Sequence, residues 1–388
     1  MKKLILAVTV CLASTSVMMV QAQEIDLLSD ELLATKGVSD ETSGVSSVDN
    51  ALVIDEGNGE KKESIFGMIV QPITDWLFSS KDDINVIAEG EEETVFAKTV
   101  RLANEGDLEA QMSLGYMYLY GTNGISKNSE EAFKYYSMAA RQEDPIALNN
   151  LGSLYFNGIG TEKNIKHALD LFEKAAELGN DNAAVNLGFI YLTGGAKDEK
   201  RNNKAMSLFE QAANSGNKIA QFMLGYAYYK GFGVDVDSAK AFRLVKAAAT
   251  GKGQIDEAQI ILGEMYTNGY GTVQNYKNAM QAYQSAAQQG NLEAVMKLAA
   301  LYETGEIGSV NPVMAHALYN IAASQDVEGA AEKRESLKPK LTVETLPQAQ
   351  NTAQNYKATP SELTTYIRQT YGKNLRYYID NNIVIKRK

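Results

Sequence analysis

The chain has 388 residues, 45% of them hydrophobic and 22% charged, with one Cys, two His and a formal net charge of -11. The excess of 48 Asp+Glu over 37 Lys+Arg argues against nucleic acid as a partner. A lone Cys rules out a disulfide framework within the chain, so packing has to hold the fold together.

Residues 1–22 read as a secretory signal peptide. Lys2 and Lys3 form the charged start, Leu4 to Val20 the apolar stretch, and Val20-Gln21-Ala22 the small-residue cleavage site. Cys11 follows Val10 where a lipoprotein signal needs a small residue, which disfavours a lipid anchor. No later stretch holds 18 consecutive apolar residues, so no transmembrane segment is expected. The expectation is an exported, soluble chain, peripheral to a membrane at most.

Residues 23–65 are rich in Ser, Asp, Glu and Gly without a sustained apolar period, and predict a disordered acidic arm. Residues 66–92 predict an apolar docking segment and linker. They carry Trp76, the one tryptophan of the chain, and are broken by Pro72 and Asp75. This segment either covers the exposed apolar face of the neighbouring helical region or meets a partner or membrane surface, which makes Trp76 a second candidate contact. A helix is expected from Val95 to Gly106, like the second half of a repeat without its first.

From there the skeleton Ala-x-x-x-Leu-Gly-x-x-Tyr-x-x-Gly recurs at 36–38 residues. Its anchors are Ala110/Leu114/Gly115/Tyr118/Gly121, Ala147/Leu151/Gly152/Tyr155/Gly158, Ala183/Leu187/Gly188/Tyr191/Gly194 and Ala220/Leu224/Gly225/Tyr228/Gly231. Ala258/Leu262/Gly263/Tyr266/Gly269 and a worn copy, Ala294/Leu298/Ala299/Tyr302/Gly305, complete the series. Apolar residues at i, i+4, i+7 and i+8 give a first helix with one buried stripe. The Gly beside Leu costs about 1 kcal/mol against Ala inside a helix, so its return predicts close approach of a partner helix. The Gly after Tyr supplies a left-handed cap. Asn128, Asn164, Asp237, Asn275 and Asn311 each stand four residues before an Ala, where they predict the start of a second helix. Neither helix pair buries its apolar face alone, whereas stacked pairs do. Residues 93–325 are thus a repeat array. Residues 326–388 predict a helical cap, with helices over 330–337, 342–358 and 361–371, then a basic, aromatic tail.

Three motifs together resemble the Sel1-like repeats, relatives of the tetratricopeptide repeats. They are Leu-Gly-x-x-Tyr-x-x-Gly-x-Gly, then Asn/Asp-x-x-x-Ala, then Ala-Ala-x-x-Gly, clearest over 147–179 and 220–251. The resemblance implies an all-α, right-handed superhelical α-solenoid of about six helix-turn-helix repeats. It also implies a scaffold or adaptor that binds another protein or peptide, in the bacterial envelope or on a host, and uses no cofactor. With the signal peptide it implies a periplasmic protein, with secretion as the alternative and peripheral envelope association allowed. By the geometry of the tetratricopeptide relatives, the first helices line a concave groove. Positions two before Leu, one after Gly and one after Tyr are then expected to be exposed, and the partner-binding groove is assigned to Tyr116, Phe156, Phe189, Phe222, Tyr226 and Tyr229. The competing expectation is that these residues pack within the array.

Catalytic chemistry finds little footing. His167 and His316 occupy different repeat positions and have no metal-ligand spacing around them. Ser215-Gly-Asn-Lys218 matches a Ser-x-x-Lys pattern, but in a turn and without the accompanying motifs of penicillin-recognising enzymes. The expectation is a non-enzyme without a metal site. An inhibitor or immunity-type protein that neutralises one enzyme is the alternative, and a beta-lactam hydrolase the remote one.

Overall fold

The computed structural model describes residues 94–193, 199–251, 253–306, 308–371 and 375–376. The signal peptide, the acidic arm, the Trp76 segment and the end of the basic tail lie outside the described residues, as does Gly194. Among the described residues there are sixteen α-helices and no strand. The chain divides into two compact units, whose described parts meet in sequence at Asp170 and Leu171.

The first unit holds α1 (Val95–Asn104), α2 (Leu108–Tyr120), α3 (Ser129–Ala140), α4 (Pro145–Asn157) and the start of α5 (Ile165–Glu177). Asp107 begins α2 by accepting the Ala110 amide at 2.7 Å. Asn128 begins α3 by accepting two amides at 3.1 Å. Asp144 caps α4, where Pro145 fills a first-turn position that has no amide to satisfy. The core of this unit gathers Ala103, Ala110, Leu114, Met117 and Tyr135, with Phe96 and Val100 of α1 laid against it. The expected half-repeat at Val95 is therefore a real helix packed on the first full copy.

The second unit holds the rest of α5, then α6 (Asp181–Thr193), α7 (Glu199–Asn214), α8 (Lys218–Lys230) and α9 (Ser238–Ala249). After these come α10 (Asp256–Asn268), α11 (Tyr276–Gln288), α12 (Leu292–Thr304) and α13 (Pro312–Ala323). From α6 to α13 each first helix packs on the second helix of its own copy and each second helix on the next first helix. The Leu-Gly positions are where the two helices of a copy touch. A Cβ on Gly263 would stand 2.5 Å from the Tyr283 ring, and one on Gly188 would stand 2.7 Å from the Phe209 ring. The second Gly of the Gly-x-Gly loop has another task. A Cβ on Gly271 would overlap the Ser238 carbonyl oxygen at the start of α9, so this loop rests main chain to main chain on the preceding copy.

Beyond the array stand α14 (Ala330–Leu337), a short 3-10 turn over Lys338–Lys340, α15 (Thr345–Gln354) and α16 (Glu362–Tyr371). The helix expected over 342–358 is shorter at both ends. Thr342 and Thr345 cap each other reciprocally ahead of it. After it, the Tyr356 hydroxyl donates to the Ala287 carbonyl and the Thr359 amide donates to the Gln288 carbonyl at 2.7 Å. These contacts draw the chain out of helix and toward the end of α11.

Candidate partner-binding surface

Five of the six residues assigned to the groove are not exposed. Tyr116, Phe156, Phe189, Phe222 and Tyr226 retain 5% or less of their surface, and only Tyr229 is half-buried. The reason is the bulk of these rings within closely packed helices. Phe189 lies edge-on to Phe209 of α7 at 5.5 Å, in the space that Gly188 leaves open. Tyr226 sits among Phe222, Tyr229 and Phe232, at centroid distances of 6.0 to 6.3 Å. Tyr116 pairs with Tyr120 at 4.9 Å. The expectation of exposure is corrected for these five: their apolar area belongs to the interior. Trp76, the second candidate contact, lies outside the described residues.

Of the six, the one that keeps surface, Tyr229, stands in the second unit. Tyr229 and Tyr270 stand 6.0 Å apart, Tyr270 is 47% exposed, and Lys230 lies 4.8 Å over the Tyr229 ring. Burial and the Glu264 carboxylate beside it push the Tyr229 hydroxyl up to about 12. From Glu264 the charges continue without a break. Lys297 bridges Glu264 at 2.8 Å and Glu293 at 3.8 Å, and Glu293 receives Arg376 at 2.6 Å. Arg376 also pairs with Glu257 at 3.3 Å. A line of alternating charge thus runs over α10 and α12 and ends on the C-terminal segment of the same chain.

That segment converges on the start of α10. Ile255 precedes this helix and offers no capping side chain. Thr364 of α16 supplies the missing acceptor, its hydroxyl taking the Asp256 amide at 3.2 Å. Ser361 donates its hydroxyl to the Gln254 carbonyl at 2.6 Å, and its own amide donates to Gln289. Arg368 pairs with Asp256 at 2.8 Å. Glu257 accepts the amides of Leu375 and Arg376 at 2.7 and 3.3 Å. Asp256 and Glu257 are both buried, at 4% and 3% exposure. Burial dominates at Glu257 and lifts its carboxyl to about 7, although the donors of residues 375 and 376 and the Arg376 charge oppose the shift.

The sequence motifs of catalytic interest come apart. Lys218 donates to the Ala247 and Thr250 carbonyls at the end of α9, at 2.9 and 2.5 Å, so its ammonium closes a helix rather than activating Ser215. His167 stacks edge-on to Tyr155 at 4.5 Å. His316 is buried in α13, where desolvation and the nearby Arg334 lower its pKa. Among the described residues no group of three His, Cys, Asp or Glu could hold a metal ion, and no helix is long and apolar enough to cross a membrane.

Two features escaped the reading of the sequence. One is a glutamine ladder between copies. Gln142 donates to Gln111 at 2.9 Å, and Gln111 to the Ala103 carbonyl at 2.8 Å. In the second unit Gln289 donates to Gln259 at 2.8 Å, and Gln259 to the Ala249 carbonyl at 3.2 Å. The available signal was Gln after the anchor Ala in three copies, at Gln111, Gln221 and Gln259. The other is the docking of Arg368 and Arg376. Nothing in the local sequence pairs them with carboxylates more than 80 residues away.

A family model, the Sel1 repeat, matches residues 108–144, 145–180, 181–217, 218–252, 256–291 and 292–327. The chain is 44% identical over 55 residues to the ERAD-associated E3 ubiquitin-protein ligase component HRD3B of Arabidopsis thaliana, which is 14% of this chain and 9% of that protein. It is 26% identical over 207 residues to chitin synthase regulatory factor 3 of Schizosaccharomyces pombe, or 52% of this chain and 22% of that one. The chain thus spans less than a quarter of either relative. Among solved structures, a Sel1 repeat protein from Oxalobacter formigenes is 29% identical with a TM-score of 0.49, covering 59% of this chain and 99% of that one.

Proposed function

This chain belongs to the Sel1 repeat family, and on that premise we propose that it is a non-catalytic scaffold that binds another protein through the first-helix surface of its second unit. Sel1 repeats are generally protein-interaction scaffolds, and the names of the two curated relatives describe a component and a regulator. The observation that carries the reading is the Tyr229/Tyr270/Lys230 patch. It keeps the exposed Tyr270 ring beside the half-buried Tyr229 and the Lys230 ammonium, and aromatic residues are the usual anchors of protein interfaces. The residues with catalytic motifs are engaged in helix closure and packing instead. Residues 1–22 extend the proposal to an exported protein working in the bacterial envelope, in the periplasm or beyond it.

The test is crosslinking capture from intact cells by the wild-type chain and by Tyr229→Glu/Tyr270→Glu. Tyr270 is exposed and Tyr229 half-buried, whereas charging Phe189 or Tyr226 would break the core. The scaffold reading predicts one protein captured by wild type and lost in the variant, with the helical signal of both chains intact. Capture of the same protein by both would move the site elsewhere. Turnover of a chromogenic beta-lactam by the purified chain would overturn the non-catalytic reading.

A further inference from the structure

We propose that the acidic start of α10 is a receptor for an arginine-bearing segment of a partner protein, and that residues 359–371 and 375–376 of the chain itself are its resident, displaceable occupant. The inference rests on the scaffold reading and names the chemistry of the segment bound.

The receptor is incomplete without an occupant. Five other first helices carry their own acceptor at the start, whereas α10 follows Ile255 and takes the hydroxyl of Thr364. Three carboxylates surround this start. Asp256 holds Arg368, while Glu257 and Glu293 divide the guanidinium of Arg376 between them. Asp256 and Glu257 are buried, so vacating the site would leave them without these cations in a low-dielectric setting. A displacing ligand must therefore bring cations of its own, which selects against acidic or neutral segments. Arginine suits the role because its planar fork reaches two carboxylates at once, as Arg376 does with Glu257 and Glu293.

The occupant is held in a manner that permits exchange. Among the described residues of 359–376, the buried side chains are Thr364, Ile367 and Leu375, and Arg368 is 43% exposed. Helix α13, by contrast, buries seven side chains. The remaining grip is polar: Ser361 on Gln254, Thr364 on Asp256, and Glu257 on the amides of Leu375 and Arg376. Glu293 joins the receptor to Lys297, Glu264 and Tyr229, so a longer incoming segment would continue onto the exposed Tyr229/Tyr270 pair. Tethering gives the resident segment an effective concentration of roughly millimolar order, and a partner must overcome it.

The test is fluorescence anisotropy of a labelled peptide with the chain's own sequence 359–388, titrated with the full chain. Three forms are compared: wild type, Arg368→Ala/Arg376→Ala, and the latter combined with Glu257→Gln/Glu293→Gln. The expected result is at least tenfold tighter binding to R368A/R376A than to wild type, and at least a tenfold loss when the carboxylates are also neutralised. Equal affinity for wild type and R368A/R376A overturns the proposal, as does undiminished binding by the combined variant with its helical signal intact. Should R368A/R376A lose its helical signal, Arg376→Gln replaces it, because Arg368 still holds α16, and the same comparison decides. In the capture experiment, equal retention of the partner by wild type and E257Q/E293Q overturns this inference alone. Capture of no protein by any form overturns the scaffold reading.

Discussion

The array and the C-terminal segment are stabilised by different kinds of contact. In the array one local solution recurs: an Asp or Asn opens a helix, Gly115, Gly188 and Gly263 each admit an aromatic ring, and Gly160 and Gly271 let a loop rest on the previous copy. The C-terminal segment repeats nothing. Its hold on α10 consists of single contacts that span 107 to 119 residues, several of them between charges. Repetition produces a core that tolerates no added atom, whereas the isolated polar contacts hold a segment that can leave. The difference separates what the fold requires from what the surface can exchange.

The array should be most sensitive at Gly271. An alanine there would push its Cβ into the Ser238 carbonyl and would also have to sustain a φ of +67°. Overpacking against main chain plus a left-handed Ala predicts a loss of about 3 kcal/mol or more, read as an earlier denaturant midpoint. A midpoint within error of wild type would refute the close-approach reading. Gly263→Ala is next, at about 1–3 kcal/mol, since the Tyr283 ring can give way slightly. Adding Tyr283→Leu should recover part of the loss, and an additive loss would contradict the contact.

Asn291→Ala sharpens the comparison because it touches both regions. Asn291 caps α12 and donates to Asp256 at 2.7 Å, so about 1–2 kcal/mol should be lost. The effect should appear in the array and in the docking of Arg368 alike. Arg376→Ala, in contrast, is expected to speed hydrogen exchange across residues 359–376 while leaving the midpoint of array unfolding nearly unchanged. A full drop of the array midpoint would show that the segment is part of the core.

The smallest expected effect is that of pH. Burial lifts Glu257 to about 7, above the 4.5 of an unfolded chain, so the folded chain keeps a proton that the unfolded chain releases. This contribution to stability is fully present below about 4.5 and is lost as pH rises through 7. The denaturant midpoint of wild type should therefore fall between pH 5 and pH 8 relative to that of Glu257→Gln. A relative rise would reverse the sign.

Much of the fold was legible because its signals are local and periodic. Asn128, Asp237, Asn275 and Asn311 open the second helices as their spacing implied, and Gly121, Gly231, Gly269 and Gly305 close first helices in the left-handed conformation. The surface was less legible. Tyr226 and Tyr229 are three residues apart on one helix, yet one is buried and the other half-exposed, because neighbouring rings decide burial and no period encodes them. The first-helix caps Asp107, Asp144, Asn180, Asn217 and Asn291 follow the same rule as the second-helix ones, each standing three residues before the anchor Ala. The exception at Ile255 could not be completed from sequence, since its acceptor lies in a different part of the chain.

Native-state hydrogen exchange on the wild-type chain tests the division most directly, by comparing the Leu375 and Arg376 amides with those of the buried residues of α11 and α13. Segment amides are expected to exchange through local opening, at least about a hundredfold faster than core amides and without dependence on denaturant. Exchange of both sets through the same global, denaturant-dependent opening would contradict the account and make the C-terminal segment part of the array's core.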